Sequence, residues 1–122
     1  MINKNLLQDV VFCNDDASVL DVSRILRDTR TRHLIVVNEK NNPVGIISTV
    51  DINNRVVAEE KNSSTLKARD IMTKPIETVE VSSTCEEAYQ KMVSKGTYSI
   101  PVTENGSLIG SLSFSKLFGK VC

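Results

Sequence analysis

The strongest constraint on this chain is that one of its segments occurs twice. Pro43-Val44-Gly45-Ile46-Ile47-Ser48-Thr49-Val50-Asp51-Ile52 reads as a short apolar strand, a serine at its end, and a helix start with an aspartate three residues later. Leu108-Ile109-Gly110-Ser111-Leu112-Ser113-Phe114-Ser115-Lys116-Leu117 repeats the strand, the glycine and the serine, but places Lys116 where the first copy has Asp51. A repeat of this length makes each half a structural unit. Half of a 122-residue chain buries too little apolar surface to stand alone, so the two halves are expected to pair.

The elements around the two copies follow one order. Leu6 to Phe12, with Val10-Val11-Phe12, predicts a strand or extended segment. Ser18 with Asp21 three residues later predicts a capping box, and Val19, Val22, Ile25 and Leu26 then recur at helical spacing. His33-Leu34-Ile35-Val36-Val37 is a continuous β-branched run, as in a buried strand. A polar turn through Asn42 leads to the Val44–Ile47 strand and a helix over 50–60. Lys61–Thr65 reads as a linker, Leu66–Met72 as a short helical piece stopped by Pro75. The order then restarts. Ile76–Val81 predicts a strand, and Ser83 with Glu86 a second capping box. Cys85, Ala88, Tyr89, Met92 and Val93 form a helical stripe closed by Gly96. Strands over 99–102 and 108–112 and a last helix over 115–120 complete the set. Arg32 aligns with Tyr98 66 residues on, whereas Gly45, Ser48 and Asp51 align with Gly110, Ser113 and Lys116 65 residues on. The one-residue slip falls in the turn, where a deletion is cheapest. These boundaries give one repeat over 1–60, a linker over 61–69 and a second repeat over 70–122.

Composition narrows the function. The chain is 40% hydrophobic and 25% charged, a globular balance. Lys+Arg and Asp+Glu are both 15, which disfavours a nucleic-acid binder. No run approaches the roughly 18 apolar residues of a membrane span, and the N-terminus lacks a signal-peptide core. A cytoplasmic protein is the expectation. Cys13, Cys85 and Cys122 are odd in number and form no CxxC pair, so neither a disulfide framework nor a zinc site is expected. Cys13 and Cys85 read as buried thiols, and Cys122 as a reactive one. No nucleophile–base pair, Walker motif or metal cluster is present, so the reading is of a protein that is no enzyme and requires no cofactor.

These residues resemble a known family. The repeat is similar to the CBS domain, named from cystathionine β-synthase, and the chain resembles one tandem CBS pair. Gly45-Ile46-Ile47-Ser48-Thr49-Val50-Asp51 matches the family's G-h-h-[ST]-x-x-[DN] pattern, with h apolar. Asp70-Ile71-Met72-Thr73-Lys74-Pro75 resembles its lead-in to a repeat, and Ser99-Ile100-Pro101-Val102 its h-P-V strand; the first repeat departs there with Ile35. The resemblance implies an α+β fold of two β-α-β-β-α repeats, packed sheet to sheet with pseudo-two-fold symmetry. It implies a regulatory module, commonly dimeric, that binds AMP, ADP, ATP or S-adenosylmethionine and acts on a partner protein.

The residues offer matching chemistry. A carboxylate can accept from both ribose hydroxyls, which suits Asp51. Ser48 stands one turn earlier, and the helix N-terminus at Thr49 favours an anion. Arg32 and His33 precede the buried strand. The resemblance implies that this pair meets phosphate, in reversed order relative to the His-Arg of the γ subunit of AMP-activated kinase. It also implies that the base sits against Thr78, Thr97 and Tyr98, with Ile46 as an apolar wall. Ser48-x-x-Asp51 has capping-box spacing as well, so helix capping and ligand binding both stand as readings of these two residues. Lys116 has three donors and no acceptor. One competent site at Asp51 and one empty or altered site near Lys116 are therefore expected. The alternative is a structural dimerisation module with vestigial clefts.

Overall fold

The computed structural model describes residues 1–118 and 122. The chain forms two compact units, one of residues 11–76 and one of residues 1–10 with 77–122. In the first, β1 (Phe12–Asn14), α1 (Val19–Thr29), β2 (His33–Val37), β3 (Pro43–Ser48), α2 (Thr49–Ile52) and α3 (Ala68–Ile71) follow in order. In the second, β4 (Val79–Glu80), α4 (Cys85–Lys95), β5 (Ser99–Glu104) and β6 (Ser107–Ser113) lead to a 3-10 turn over Phe114–Phe118. Each unit holds a three-stranded sheet, β1-β2-β3 or β4-β5-β6. The first pair of strands is parallel and the second antiparallel, in both sheets. A register irregularity falls between Val36 and Val37 in one sheet and between Val102 and Thr103, the equivalent residues, in the other. The α+β class and the repeated element order are as the sequence predicts.

The two long helices, α1 and α4, each start on a hydroxyl and bury one stripe. The Ser18 side chain accepts from the Asp21 amide at 3.0 Å, and Val19, Val22 and Leu26 pack under β2 residues Leu34 and Val36. In the other unit Ala88 and Met92 of α4 pack with Ile100, Val102 and Leu112. Burying each such aliphatic side chain contributes about 1.5–3 kcal/mol. The α4 cap is Thr84, which accepts from the Glu87 amide at 3.1 Å, one residue after the expected Ser83. Adjacent hydroxyl residues can all cap, and backbone geometry selects among them.

Other expectations are corrected. Of the run 6–12 only Phe12 enters a strand: Leu6 closes a 3-10 turn over Lys4–Leu6, nucleated by Asn3 accepting from the Asn5 amide, and Leu7 follows in the extended conformation that is the other expectation. The helix over 50–60 is four residues of α-helix followed by a π-helical turn over Asn53–Val57. The strand over 76–81 is reduced to Val79–Glu80. Of the last helix, Ser115 to Phe118 lie in the 3-10 turn, and Gly119 and Lys120 lie outside the described residues. The polar stretch 61–66 is no free spacer. Ser63 and Leu66 carbonyls accept from the Leu20 and Val19 amides, two donors that the start of α1 would leave unpaired.

Cys85 and Cys122 form a disulfide, with Cα atoms 6.2 Å apart. Cys85 is therefore not a buried free thiol, nor is Cys122 a free reactive one; their 37-residue separation in sequence is closed by the fold. Cys13 is buried, and burial, aided by Asp15, pushes its thiol up to about 11, which makes it unreactive.

The two units cut across the expected repeat boundaries because the lead-in segments are exchanged. Gln8 and Ser111 of β6 exchange backbone hydrogen bonds, both 2.9 Å. Thr73 and Ile46 of β3 do the same at 2.8 and 3.0 Å. Each lead-in thus adds to the last strand of the other repeat. The motif glycines permit this approach. A Cβ on Gly45 would stand 2.5 Å from the Met72 sulfur and 3.0 Å from the Thr73 carbonyl oxygen; one on Gly110 would stand 3.0 Å from the Gln8 carbonyl oxygen.

Candidate functional site

The Gly45–Asp51 motif closes into a capping box at the end of β3. The Asp51 amide donates to Ser48 Oγ at 3.1 Å, and the Ser48 amide donates to Asp51 Oδ2 at 2.9 Å. This satisfies two donors at the start of α2. The other carboxylate oxygen, Oδ1, lies 3.5 Å from the Thr73 hydroxyl and 3.7 Å from Arg55 Nη2. The Asp51 side chain is 17% exposed, so the carboxylate is held but not sealed. Each carboxylate oxygen accepts more than one hydrogen bond, so both keep capacity for a ligand donor.

Arg32 and His33 come to the same end of the sheet. His33 pairs with Ser48 in the β2–β3 ladder, and the Arg32 carbonyl accepts from the Thr49 amide at 2.9 Å. Both are exposed. Ile46, half-buried, sits in β3 between its partners Ile35 and Thr73. Five of the expected residues therefore share one unit. Thr78, Thr97 and Tyr98 belong to the other unit. There the Thr78 carbonyl accepts from Lys91, the Thr97 amide donates to the Met92 carbonyl at the end of α4, and Tyr98 is 81% exposed.

Two residues join the site that sequence reasoning passed over. Arg55 stands at the i+4 position from Asp51, a spacing that signals an ion pair on a helix. Thr73 arrives from the lead-in, and no local pattern marks it. A depression of about 790 Å³ opens at the opposite end of the sheet, among Asn14, Asp15, Asn38, Lys40 and Arg69. Among the described residues no group of three or more His, Cys, Asp or Glu side chains gathers as a metal site. Among the described residues no helix is long and apolar enough to cross a membrane.

The second copy keeps the frame and changes the chemistry. The Phe114 amide donates to the Tyr98 carbonyl at 2.7 Å, as Thr49 does to Arg32. Ser113 Oγ, however, lies 3.1 Å from Ser115 Oγ, and Lys116 is exposed on a 3-10 turn. Phe114 packs with Tyr89, Tyr98 and Phe118, ring centroids 5.7, 6.2 and 5.3 Å away.

The profile of the CBS domain matches residues 4–58 and 68–121. The chain belongs to the CBS-domain family. It is a tandem CBS pair, the regulatory type of module that the resemblance implies. It is 33% identical over 111 residues to Uncharacterized protein MK0525 of Methanopyrus kandleri, an alignment covering 90% of this chain and 57% of that protein. It is 26% identical to CBS domain protein PAE2072 of Pyrobaculum aerophilum, solved in complex with AMP, with a TM-score of 0.74 over 98% of this chain and 93% of that one. Hypoxic Response Protein I, solved with two coordinated zinc ions, shares the CBS fold at a TM-score of 0.80 and 14% identity, covering 96% of each chain. The chain spans 57%, 29% and 22% of the length of three curated relatives that it matches.

Proposed function

We propose that this CBS pair is a regulatory adenine-nucleotide-binding module of the cytoplasm, which senses energy state or a metabolite and passes the signal on by dimerisation or to a partner protein. It binds rather than catalyses. The observation that carries this reading is the complete Gly45–Asp51 motif, with an open carboxylate, in a chain 26% identical to an AMP-complexed CBS protein. In this reading Asp51 accepts from the ribose hydroxyls, Ser48 assists, and Arg32 and His33 meet phosphate. Thr78, Thr97, Tyr98 and Ile46 surround the base. AMP, ADP and ATP are the ligands favoured, with S-adenosylmethionine as a further candidate. Exposed Val50, Val57, Val93 and Phe118 supply apolar surface for a homodimer or a partner protein.

A second reading has its own observation. The Asp51 carboxylate is already partnered by the Ser48 amide, Thr73 and Arg55, so it needs no ligand to be stable. The module would then serve dimerisation alone, with vestigial clefts. Calorimetric titration with AMP, ADP, ATP and S-adenosylmethionine separates the two. The nucleotide reading expects saturable binding near one per chain, weakened at least about tenfold in Asp51→Ala by the loss of a charge-assisted hydrogen bond. Absence of heat from all four ligands would leave the dimerisation reading.

A further inference from the structure

Among the described residues Arg55 is the one cation that touches Asp51, and it touches the lead-in segment at the same time. Its Nη1 donates to the Ile71 carbonyl at 2.6 Å, while Nη2 lies 3.7 Å from Asp51 Oδ1. Ile71 ends α3, so its carbonyl is among those that a helix C-terminus leaves without a partner, and a cation is favoured there. Two residues on, Thr73 pairs with Ile46 through both backbone groups and turns its hydroxyl toward the same Oδ1 at 3.5 Å. The planar guanidinium suits this double task, because its donors stand in a fixed fork. The fork is presented by the π-helical turn over Asn53–Val57, where the Ala58 amide reaches back to the Asn53 carbonyl. Such local π geometry departs from the regular α-helix that the sequence predicts, and it recurs at functional sites.

We propose that Arg55 is a positioning residue of the Asp51 site: it clamps the 71–73 lead-in to the carboxylate, so that Asp51 Oδ1 and the Thr73 hydroxyl face one ligand hydroxyl together. This rests on the nucleotide reading for the identity of the ligand, and on geometry alone for the clamp. Arg55 acts through Asp51 and Thr73 and need not touch the ligand. The discrimination it supports is between a vicinal diol and a single hydroxyl, since a diol engages both carboxylate oxygens only while the carboxylate is held in one orientation.

The test has a ligand-free arm and a ligand arm. Amide hydrogen exchange in Arg55→Met is expected to quicken at Ile46 and Thr73 by about tenfold or more, while the equivalent pair Gln8 and Ser111 exchanges as in the wild type. Unchanged exchange at Ile46 and Thr73 overturns the clamp, whatever the ligand proves to be. In the ligand arm, affinities for AMP, 2′-deoxy-AMP and adenosine are compared in wild type, Arg55→Met and Arg55→Lys. The wild type is expected to prefer AMP over 2′-deoxy-AMP by about tenfold or more. Arg55→Met should weaken AMP and adenosine by a similar factor and bring the ribo-to-deoxy preference toward one, with partial rescue in Arg55→Lys. A preference that persists in Arg55→Met overturns the positioning role, and a loss confined to AMP shows Arg55 to be a phosphate contact instead. A wild type that binds none of the three, nor ADP, ATP or S-adenosylmethionine, defeats the nucleotide reading, and the exchange arm still decides the clamp.

Discussion

The two copies of the motif share a backbone frame and differ in what the frame holds. In both, a lead-in pairs with the last strand, a glycine lets it approach, and the first amide after the motif serine bonds the carbonyl before the middle strand. In the first copy this frame presents a closed Ser48–Asp51 box with Arg55 and Thr73 around it. In the second it presents Lys116 on a 3-10 turn, beside an aromatic cluster of Tyr89, Tyr98, Phe114 and Phe118. The frame is set by glycine, strand pairing and buried aliphatics, which both copies keep. The chemistry hangs on single side chains, which change at little cost to the frame. The unit carrying the second copy has also gained a covalent tie, Cys85–Cys122, that the other lacks.

Breaking that tie should give the largest difference between the units. Loop-closure entropy for a 37-residue separation corresponds to about 3–4 kcal/mol. Reduction by a dithiol, or Cys122→Ser, is expected to raise amide exchange at Ile100, Val102 and Leu112, which lie in the tied unit, more than at Leu34, Val36 and Ile47. An equal response in both sets would mean that the tie does not act on one unit. Native protein should also show no rapidly reactive thiol before reduction, since Cys13 is buried with its thiol pushed up to about 11.

The motif serines give a smaller contrast. Ser48 caps α2 in a reciprocal box, so Ser48→Ala should cost about 1 kcal/mol in urea unfolding. Among the described residues the Ser113 hydroxyl bonds the exposed Ser115 hydroxyl and caps no helix amide, and Ser113→Ala should cost no more than about 0.5 kcal/mol. Equal costs would mean that the second serine caps in solution too, and that the copies are more alike than their geometry.

How much of this was legible follows from how local each signal is. The repeat, the strand–helix order and the Ser48–Asp51 box rest on spacings of two to four residues, and these read directly from the chain. The α1 cap at Ser18 and the α4 end at Gly96 did so as well. The exchange of lead-ins was not legible, because Gln8–Ser111 and Thr73–Ile46 are joined by backbone groups that nearly any residue supplies. Cys85 and Cys122 carried no spacing signal, since a disulfide depends on proximity in the fold. Arg55 was half legible: its i+4 spacing to Asp51 is local, but its bond to the Ile71 carbonyl spans 16 residues. Thr73, 22 residues from Asp51, offered nothing to read.

The smallest expected contrast lies in the hairpin turns and depends on pH. In the second unit the Glu80 carboxylate holds the β5–β6 turn. It accepts from the Thr103 hydroxyl at 2.6 Å, from the Asn105 amide, and from the Gly106 amide at 3.4 Å. The Thr103 hydroxyl, and after it the two amides, hold this carboxyl below the ordinary glutamate value of 4.5. In the first unit the aligned position is Asn14, and the β2–β3 turn is held by Asn38, whose side chain accepts from the Lys40 and Asn42 amides, both 3.0 Å. That acceptor is neutral. A carboxyl whose value is lowered on folding lends stability that is present above its unfolded value and lost as pH falls through its folded one. The melting-temperature gap between wild type and Glu80→Gln should therefore be constant from pH 6 to 8 and narrow below about pH 4.5. Exchange at the Asn105 amide should rise over the same range relative to that at Lys40, after correction for intrinsic rates. A gap that stays open at pH 3 would mean that Glu80 serves the turn by shape rather than by charge, and the two hairpins would then differ in residue but not in kind.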